Sequence, residues 1–385
     1  PPNGRIEKSM ITAAPLPAWG DFPALLETSV PADGTLVAPW LSGGAADAYL
    51  LSRSSWSLAA LIQMRKIEGE ARPKLWLPDF FCNASSDPAR AAGAEIVFYP
   101  VTETLAPDWT ACKALAERAR PSLFVLAHYF GAANDAAGAR AFCTGVGAAL
   151  VEDAAPVLKP TAGIGHAGDF VLYSPHKLLG IPHGAILVAR ASNAALGRAM
   201  ASLPAAAQCA RAWIVKRILQ LATPEAAWKA LRPIPDIPFE RDPPLQSAPT
   251  APAMSAAARK ILARAIARLE AEAACRRLSE KTLRQALAAV PGWSPWPAAW
   301  DEGAVPYRGV FIAESAALAA ERFARLRRAG CLVESWPDLA PEVTADSATH
   351  RAAIDLRHRL LAFPLPEENK AEASAGICSG ALAND

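Results

Sequence analysis

The sequence lacks the features that mark several large protein classes. No apolar run reaches about 18 residues, and the first residues do not show the charged-then-apolar pattern of a signal peptide. The seven cysteines are scattered and contain no CxxC pair, which argues against a disulfide framework and a zinc knuckle. The net charge is only +2, so nothing favours nucleic acid or an anionic membrane as a partner. We therefore expect a cytoplasmic protein with no metal site.

Length and composition indicate a soluble globular protein of more than one domain. The chain has 385 residues, of which 52% are hydrophobic and 20% charged, and this is too long for one ordinary core. Residues 233–253 are rich in proline and are typical of a linker or crossing segment. We predict an N-terminal arm over 1–45, a large domain over 46–245 and a small domain over 246–385.

Strands and helices alternate through residues 74–190. The strand Ser122–Ala127 is almost continuously apolar, which is typical of a parallel sheet covered by helices on both faces. The pattern predicts an α/β fold with a mainly parallel sheet, whose sites collect where the strands end. Further along, residues 254–290 predict one long helix, followed by the strands and helices of a smaller α/β domain.

One acid and one lysine stand at consecutive strand ends. Asp153 ends the strand that begins at Ala148, and Lys177 follows the next strand, 24 residues later in the chain. A carboxylate and an amine in this arrangement suit pyridoxal 5′-phosphate (PLP), which has a cationic ring nitrogen on one side and an aldehyde on the other. We interpret Asp153 as the partner of the ring nitrogen and Lys177 as the Schiff-base lysine. An N-cap role is the alternative for Asp153.

A phosphate site is indicated at the helix that follows residue 53. Ser54 and Ser55 are good N-cap residues, and a helix N-terminus with free N–H groups and hydroxyls binds phosphate readily. The alternative is an ordinary capped helix. Ser174, three residues before Lys177, could also reach the phosphate or be a plain strand-end residue.

Aromatic side chains and histidines at other strand ends complete the candidate site. Phe80 and Phe81 could stack on a planar cofactor or belong to the core. His128 could pack on the ring, hydrogen-bond the phenolic oxygen of the cofactor, or be a satisfied core histidine. His176 and His183 flank the lysine. Both fit structural roles, and we count His176 among the cofactor-binding residues.

Four motifs make the chain similar to a known family. They are PDFFCNASSDPARAAGAEIVFYPV, FVLAHYFGAANDAAGARAF, VEDAAPVL and GDFVLYSPHKLLGIPHGAILV, and their order and spacing extend across residues 45–190. The chain resembles the fold-type-I PLP enzymes, and within them the DegT/DnrJ/EryC1/StrS sugar aminotransferases. Weaker similarity continues to RLLAFPLPEE near the C-terminus.

The resemblance implies a fold, a reaction and a set of site residues. The fold is a three-layer α/β/α large domain with a smaller C-terminal α/β domain. The family is homodimeric, with active sites at the interface, and transfers an amino group from glutamate to a nucleotide-linked keto sugar. By the resemblance, Ser54, Ser55, Trp56 and Ser174 surround the phosphate. The ring-stacking aromatic falls on Cys82, with Phe81 adjacent.

The departures from the family pattern leave two other functions open. Ser54-Ser55 replaces a Gly-Thr pair, Cys82 an aromatic residue, Pro156 a polar residue, and Gly184-Ala185 a glycine pair. One alternative is a cysteine-desulfurase-like or lyase enzyme, motivated by Ser-Pro-His-Lys and by a small-residue loop over 374–380 that carries Cys378. The other is a non-catalytic protein with the same fold. The acceptor, the stereochemistry and the pathway do not follow from the sequence.

Overall fold

The larger sheet carries the strands predicted from the apolar runs. The computed structural model describes residues 14–41, 44, 47–223, 227, 239 and 251–383. The sheet has the strand order β1-β7-β6-β5-β4-β2-β3. Its strands are β1 (Asp47–Leu51), β2 (Lys74–Pro78), β3 (Glu95–Tyr99), β4 (Leu123–Ala127), β5 (Ala149–Ala154), β6 (Phe170–Tyr173) and β7 (Ala185–Ala189). Strands β3, β2, β4, β5 and β6 are parallel, whereas β7 is antiparallel to both β6 and β1.

Helices cover both faces of this sheet. They are α1 (Asp33–Val37), α2 (Ser54–Ile67), α3 (Asp87–Ala91), α4 (Trp109–Ala119), α5 (Ala136–Val146), α6 (Ala194–Ser202) and α7 (Arg211–Ala222). Short 3-10 helices occupy Trp19–Leu26, Ala38–Trp40, Asn83–Ser85, Tyr129–Gly131 and Pro175–Lys177. Every residue of β4 is buried, because helices cover both faces of a central parallel strand. The predicted three-layer α/β architecture is confirmed.

A second, four-stranded sheet forms the C-terminal part, in the order β10-β11-β9-β8. Its strands are β8 (Trp293–Trp296), β9 (Arg308–Ala313), β10 (Glu334–Ser335) and β11 (Leu360–Pro364). Its helices are α8 (Ala256–Ile266), α9 (Leu269–Leu287), α10 (Ala316–Arg328), α11 (Pro341–Ala345), α12 (Arg351–Arg359) and α13 (Glu368–Leu382). The strand pairs of this sheet are antiparallel. None of the helices described is both long and apolar enough to cross a membrane.

The long helix predicted over 254–290 is wrong, because the chain forms two helices. Arg268 leaves helical geometry at φ −113° and ψ 12°, and its guanidinium donates to Asp21 at 2.8 Å. Before this break, Ile261 and Leu262 pack against the larger sheet. After it, Leu283 and Leu287 belong to the core of the smaller sheet. Because the chain changes direction at this break, the apolar residues before it pack on the larger sheet and those after it pack in the core of the smaller sheet.

Other differences concern segments with weak patterns. Strands β1 and β8 were not predicted from the sequence, and the loop expected over 374–380 is instead part of α13. That helix packs along α9, and its alanines favour helix formation while its small side chains permit close approach. The linker predicted over 233–253 lies mostly outside the described residues. The domain boundary at 245 lies there too and remains a prediction.

Candidate cofactor site

The candidate residues meet at one edge of the larger sheet. Parallel pairing places the carboxyl ends of β2, β4, β5 and β6 along this edge. The antiparallel pairs bring the start of β7 to the same edge, where Ala185 faces Leu51 at the end of β1. Residues from six strands are therefore neighbours here, although the chain places them far apart.

Lys177 and Asp153 lie close enough for their charges to interact. Lys177 ends the 3-10 helix that follows β6, and Asp153 is the penultimate residue of β5; both side chains are partly buried. Burial raises the pKa of the Asp153 carboxyl, and the charge of Lys177 opposes that shift. One oxygen of Asp153 accepts from the backbone N–H of Ala155 at 3.0 Å. The pair has the placement expected from the sequence.

Glu152 points into the core, where it holds a network. It accepts from the backbone N–H groups of Gly165, Ala167 and Gly168 and from Nε2 of His128 at 2.9 Å. Burial favours the neutral acid, but these hydrogen bonds outweigh burial and lower the pKa of Glu152 to about 2. Because side chains alternate along β5, Glu152 points to one face, where it has a structural role, and Asp153 points to the other face, toward the site.

Both ring nitrogens of His128 are occupied by the protein. Nδ1 accepts from the N–H of Asn134 at 3.1 Å, which leaves Nε2 as the donor to Glu152. The side chain is fully buried. Of the interpretations left open by the sequence, the satisfied histidine fits this geometry, and a hydrogen bond from the ring to the cofactor does not.

The serines of the phosphate turn lie within the helix and do not cap it. Arg53 is the N-cap of α2, with φ −146° and ψ 151°, and no side chain caps the helix. Ser54, Ser55 and Trp56 form its first turn, where the helix leaves backbone N–H groups without internal acceptors. The N-cap prediction for the two serines is therefore wrong, whereas their place at a helix N-terminus agrees with the phosphate hypothesis.

Ser174 has the signature of a ligand-binding hydroxyl. It is fully buried, and its Oγ has no hydrogen-bond partner in the described structure. An unsatisfied buried hydroxyl is costly unless a ligand completes it. It follows β6 directly and lies next to the helical turn that carries Lys177.

The aromatic residues after β2 do not both face the site. Phe80 stacks on Trp336 with ring centroids 4.3 Å apart, and Phe81 packs into the core beneath α2. Cys82 is partly buried between Asp338 and Lys177. Burial first and Asp338 second raise the pKa of its thiol, and Lys177 lowers it. The residue beside the amine is thus a thiol, and ring stacking by Phe81 stays a prediction.

The two histidines that flank the lysine are held by the protein. Nδ1 of His176 donates to the carbonyl of Gly184 at 2.9 Å, and Nε2 of His183 lies 3.0 Å from the hydroxyl of Ser255. Burial lowers the pKa of both imidazoles, in His183 to about 4, and the charge of Arg53 adds to the effect. Both are therefore neutral near pH 7.

Three residues that support the site gave no signal in the sequence. Arg276 on α9 is buried and donates to the carbonyl of Leu178 at 2.9 Å, which holds the residue next to Lys177. Asp338 accepts from the N–H of Asn83 at 3.1 Å, and Arg53 occupies the N-cap position of α2. Arg276 and Asp338 act across long chain separations, so periodicity could not reveal them. Arg53 was adjacent to the phosphate motif and could have been found there.

The thiol that motivated the desulfurase alternative is not on a loop. Cys378 lies in α13, is 3% exposed and contacts Cys331. A shallow cavity beside it is lined by residues of the C-terminal part, and none comes from the strand ends that carry Lys177 and Asp153. The structure therefore gives this alternative no support.

Comparison with solved structures identifies the same fold across nearly the whole chain. The aminotransferase TlmJ from Streptoalloteichus hindustanus is 19% identical, with a TM-score of 0.69 and coverage of 97% of this chain and 98% of that one. PseC of Helicobacter pylori, an aminotransferase involved in the biosynthesis of pseudoaminic acid, is 13% identical, with a TM-score of 0.71 and coverage of 96% and 97%. The E. coli GDP-4-keto-6-deoxy-D-mannose-3-dehydratase, solved with hydrated PLP, is 12% identical, with a TM-score of 0.65 and coverage of 97% and 100%. The expected fold type is confirmed.

The sequence comparison concerns the part of the chain that forms the site. No curated protein sequence matches the chain. A family match covers residues 45–195, which include every strand of the larger sheet together with Asp153, Ser174 and Lys177. The match is to the DegT/DnrJ/EryC1/StrS aminotransferase family, and it confirms the resemblance expected from the motifs.

Proposed function

We propose that the protein is a PLP-dependent aminotransferase in which Lys177 binds the cofactor covalently. One observation carries the proposal: an amine and a carboxylate from neighbouring strand ends stand within each other's electrostatic reach at the edge where the α2 N-terminus lies. The family match over residues 45–195 supports it.

The side chains present fit the chemistry of this cofactor. Ser174 has a buried hydroxyl that lacks a partner among the described residues, as a phosphate ligand would require. Ser54, Ser55 and Trp56 offer the first-turn N–H groups of a 14-residue helix, whose dipole favours an anion. Asp153 supplies a carboxylate for the ring nitrogen. Cys82 is the poorest fit, since a thiol stacks less well on a ring than an aromatic side chain.

Bound PLP acts as an electron sink that stabilises a carbanion at the substrate carbon. The protein's part is to hold and move protons. Lys177 Nζ is the nucleophile toward the aldehyde and, when unattached, the base that moves a proton. The Asp153 carboxylate keeps the ring nitrogen protonated. Arg276 anchors the Leu178 carbonyl and so restrains the turn that presents Nζ.

The substrates we propose are an amino acid such as glutamate as donor and a nucleotide-linked keto sugar or another small keto compound as acceptor. PseC has the same fold and serves the synthesis of an amino sugar, which supports a sugar acceptor. The E. coli dehydratase has this fold with another reaction, so transamination must be tested separately from cofactor binding. We further propose a cytoplasmic homodimer.

A spectroscopic half-reaction tests the function. Purified protein supplied with PLP should show the visible band of the lysine-bound cofactor, and glutamate should abolish it until a keto acid restores it. Lys177→Ala should lack the band. A protein that binds PLP but keeps its band with every amino acid donor contradicts transamination. If cysteine releases sulfide or alanine and Cys378→Ala stops that release, the desulfurase alternative is favoured instead.

A further inference from the structure

Arg53 lies at the N-terminus of α2, where the proposed phosphate site would be stabilised by a positive charge. The N–H of Gly184 donates to the carbonyl of Ser52 at 3.0 Å, which ties the start of β7 to the end of β1. Arg53 follows Ser52 and is the N-cap of α2, so it begins the turn whose first N–H groups have no acceptor within the helix. The next two residues, Ser54 and Ser55, replace the Gly-Thr pair of the family pattern.

The side chain of Arg53 is half-buried, and no hydrogen bond or ion pair joins it to the described residues. Burial lowers its pKa, and no carboxylate opposes that shift. By contrast, Arg276 is paired with Glu272, and Arg308 with Glu334. A charge that is partly removed from water is stabilised by a partner of opposite sign, so the position of Arg53 favours an anion from outside the described residues.

The neighbouring imidazoles cannot supply this charge. His176 and His183 both feel the charge of Arg53, so all three side chains are close together. Burial first and Arg53 second lower the pKa of both imidazoles, and both use a nitrogen in bonds to the protein. Lys177 is assigned to the aldehyde. At neutral pH, Arg53 is thus a cation available at the N-terminus of α2.

We propose that Arg53 is the counter-charge of the cofactor phosphate, acting with the first-turn N–H groups of α2 and the hydroxyl of Ser174. This inference rests on the proposed function and adds a residue to its phosphate site. A guanidinium offers several donors in a fixed plane and binds phosphate oxygens in pairs. It also explains how this chain can neutralise a dianion through a turn that departs from the family pattern.

The test compares binding of PLP with binding of pyridoxal, so that the contribution of the phosphate is measured apart from that of the ring and the aldehyde. PLP and pyridoxal, which lacks the phosphate, are titrated into wild-type protein, Arg53→Gln and Arg53→Lys, and lysine attachment is followed by absorbance. Arg53→Gln should bind PLP roughly 10- to 100-fold more weakly, as expected for loss of a charged hydrogen bond. Its affinity for pyridoxal should stay within about twofold of the wild-type value. Arg53→Lys should fall between the two proteins, because it keeps the charge without the planar fork.

Thermal unfolding of the cofactor-free proteins controls for folding. The proposal is overturned if Arg53→Gln retains the wild-type ratio of the two affinities, whether both are unchanged or both fall together. The latter result would assign Arg53 to the packing of α2. A wild-type protein that binds neither ligand overturns the proposed function itself. A selective loss in Arg53→Gln supports both proposals.

Discussion

At the residue scale, β5 assigns different roles to two adjacent acids. Glu152 faces the core and is saturated by hydrogen bonds, whereas Asp153 faces the edge where Lys177 lies. Strand alternation alone predicted that one acid serves the site and the other does not. The partners of Glu152 are backbone N–H groups 13 to 16 residues away in sequence, which no local pattern reveals.

Asp153→Asn should impair the cofactor without preventing its attachment. An opposite charge within a few ångströms shifts a pKa by about 1 to 3 units, so its loss should leave the ring nitrogen about 10- to 1,000-fold less protonated. We expect the visible band to persist and the rate of the glutamate half-reaction to fall by a similar factor. Stopped-flow absorbance measures this rate. Asp301→Asn, which changes an exposed carboxylate, should react at the wild-type rate; equal rates in all three proteins would remove Asp153 from the site.

Glu152 should make stability depend on acid pH. Its pKa is lowered on folding from the ordinary 4.5 to about 2, so its contribution is complete above about pH 4.5 and is lost as the pH falls toward 2. At neutral pH, Glu152→Gln should cost on the order of 3 kcal/mol. Urea unfolding at several pH values measures this difference, which should shrink below pH 4.5. A difference that stays constant down to pH 2 would contradict the ionised network.

At the element scale, α9 connects the C-terminal part to the turn that carries the lysine. Arg276 pairs with Glu272 at 2.7 Å and donates to the carbonyls of Tyr307 at 3.3 Å and Leu178 at 2.9 Å. The periodic apolar pattern over 254–290 predicted that this stretch is helical. It did not predict the break at Arg268, whose guanidinium donates to Asp21, 247 residues away.

Arg276→Lys should loosen the lysine turn, because an ammonium cannot reproduce the fork that reaches three partners. We expect a loss of about 1–3 kcal/mol in stability and faster release of PLP, since buried acceptors lose their donors. Dialysis followed by absorbance measures release. Arg277→Lys, on the exposed side of the same helix, is the matched control. Equal release from all three proteins would show that α9 does not restrain the turn.

At the scale of the whole molecule, the two sheets share one apolar core. Trp76 of β2 and Phe80, which follows that strand, pack in one cluster with Val310, Ala353 and Leu356 of the C-terminal part. The amphipathic patterns identified both sheets but not this contact, because packing between distant elements leaves no periodic signal. Asp79 and His350 form a buried pair at 2.9 Å across the same boundary.

A double-mutant cycle on Asp79 and His350 should reveal coupling between the two parts. At pH 7, His350→Ala leaves a buried carboxylate without its imidazole partner and should cost about 3 kcal/mol. Adding Asp79→Asn should recover part of that loss. Burial raises the pKa of Asp79, so the cost of His350→Ala should shrink as the pH falls and this carboxyl is protonated. Additive losses at every pH in chemical denaturation would contradict the pair.

Attachment of PLP to Lys177 can be tested by chemical trapping. Protein supplied with PLP is reduced with borohydride, digested and mapped by mass spectrometry. We expect one modified lysine, Lys177, and no stable adduct in Lys177→Ala. A reduced adduct on another lysine, or none on protein that is shown to be folded and exposed to excess PLP, would contradict attachment at Lys177.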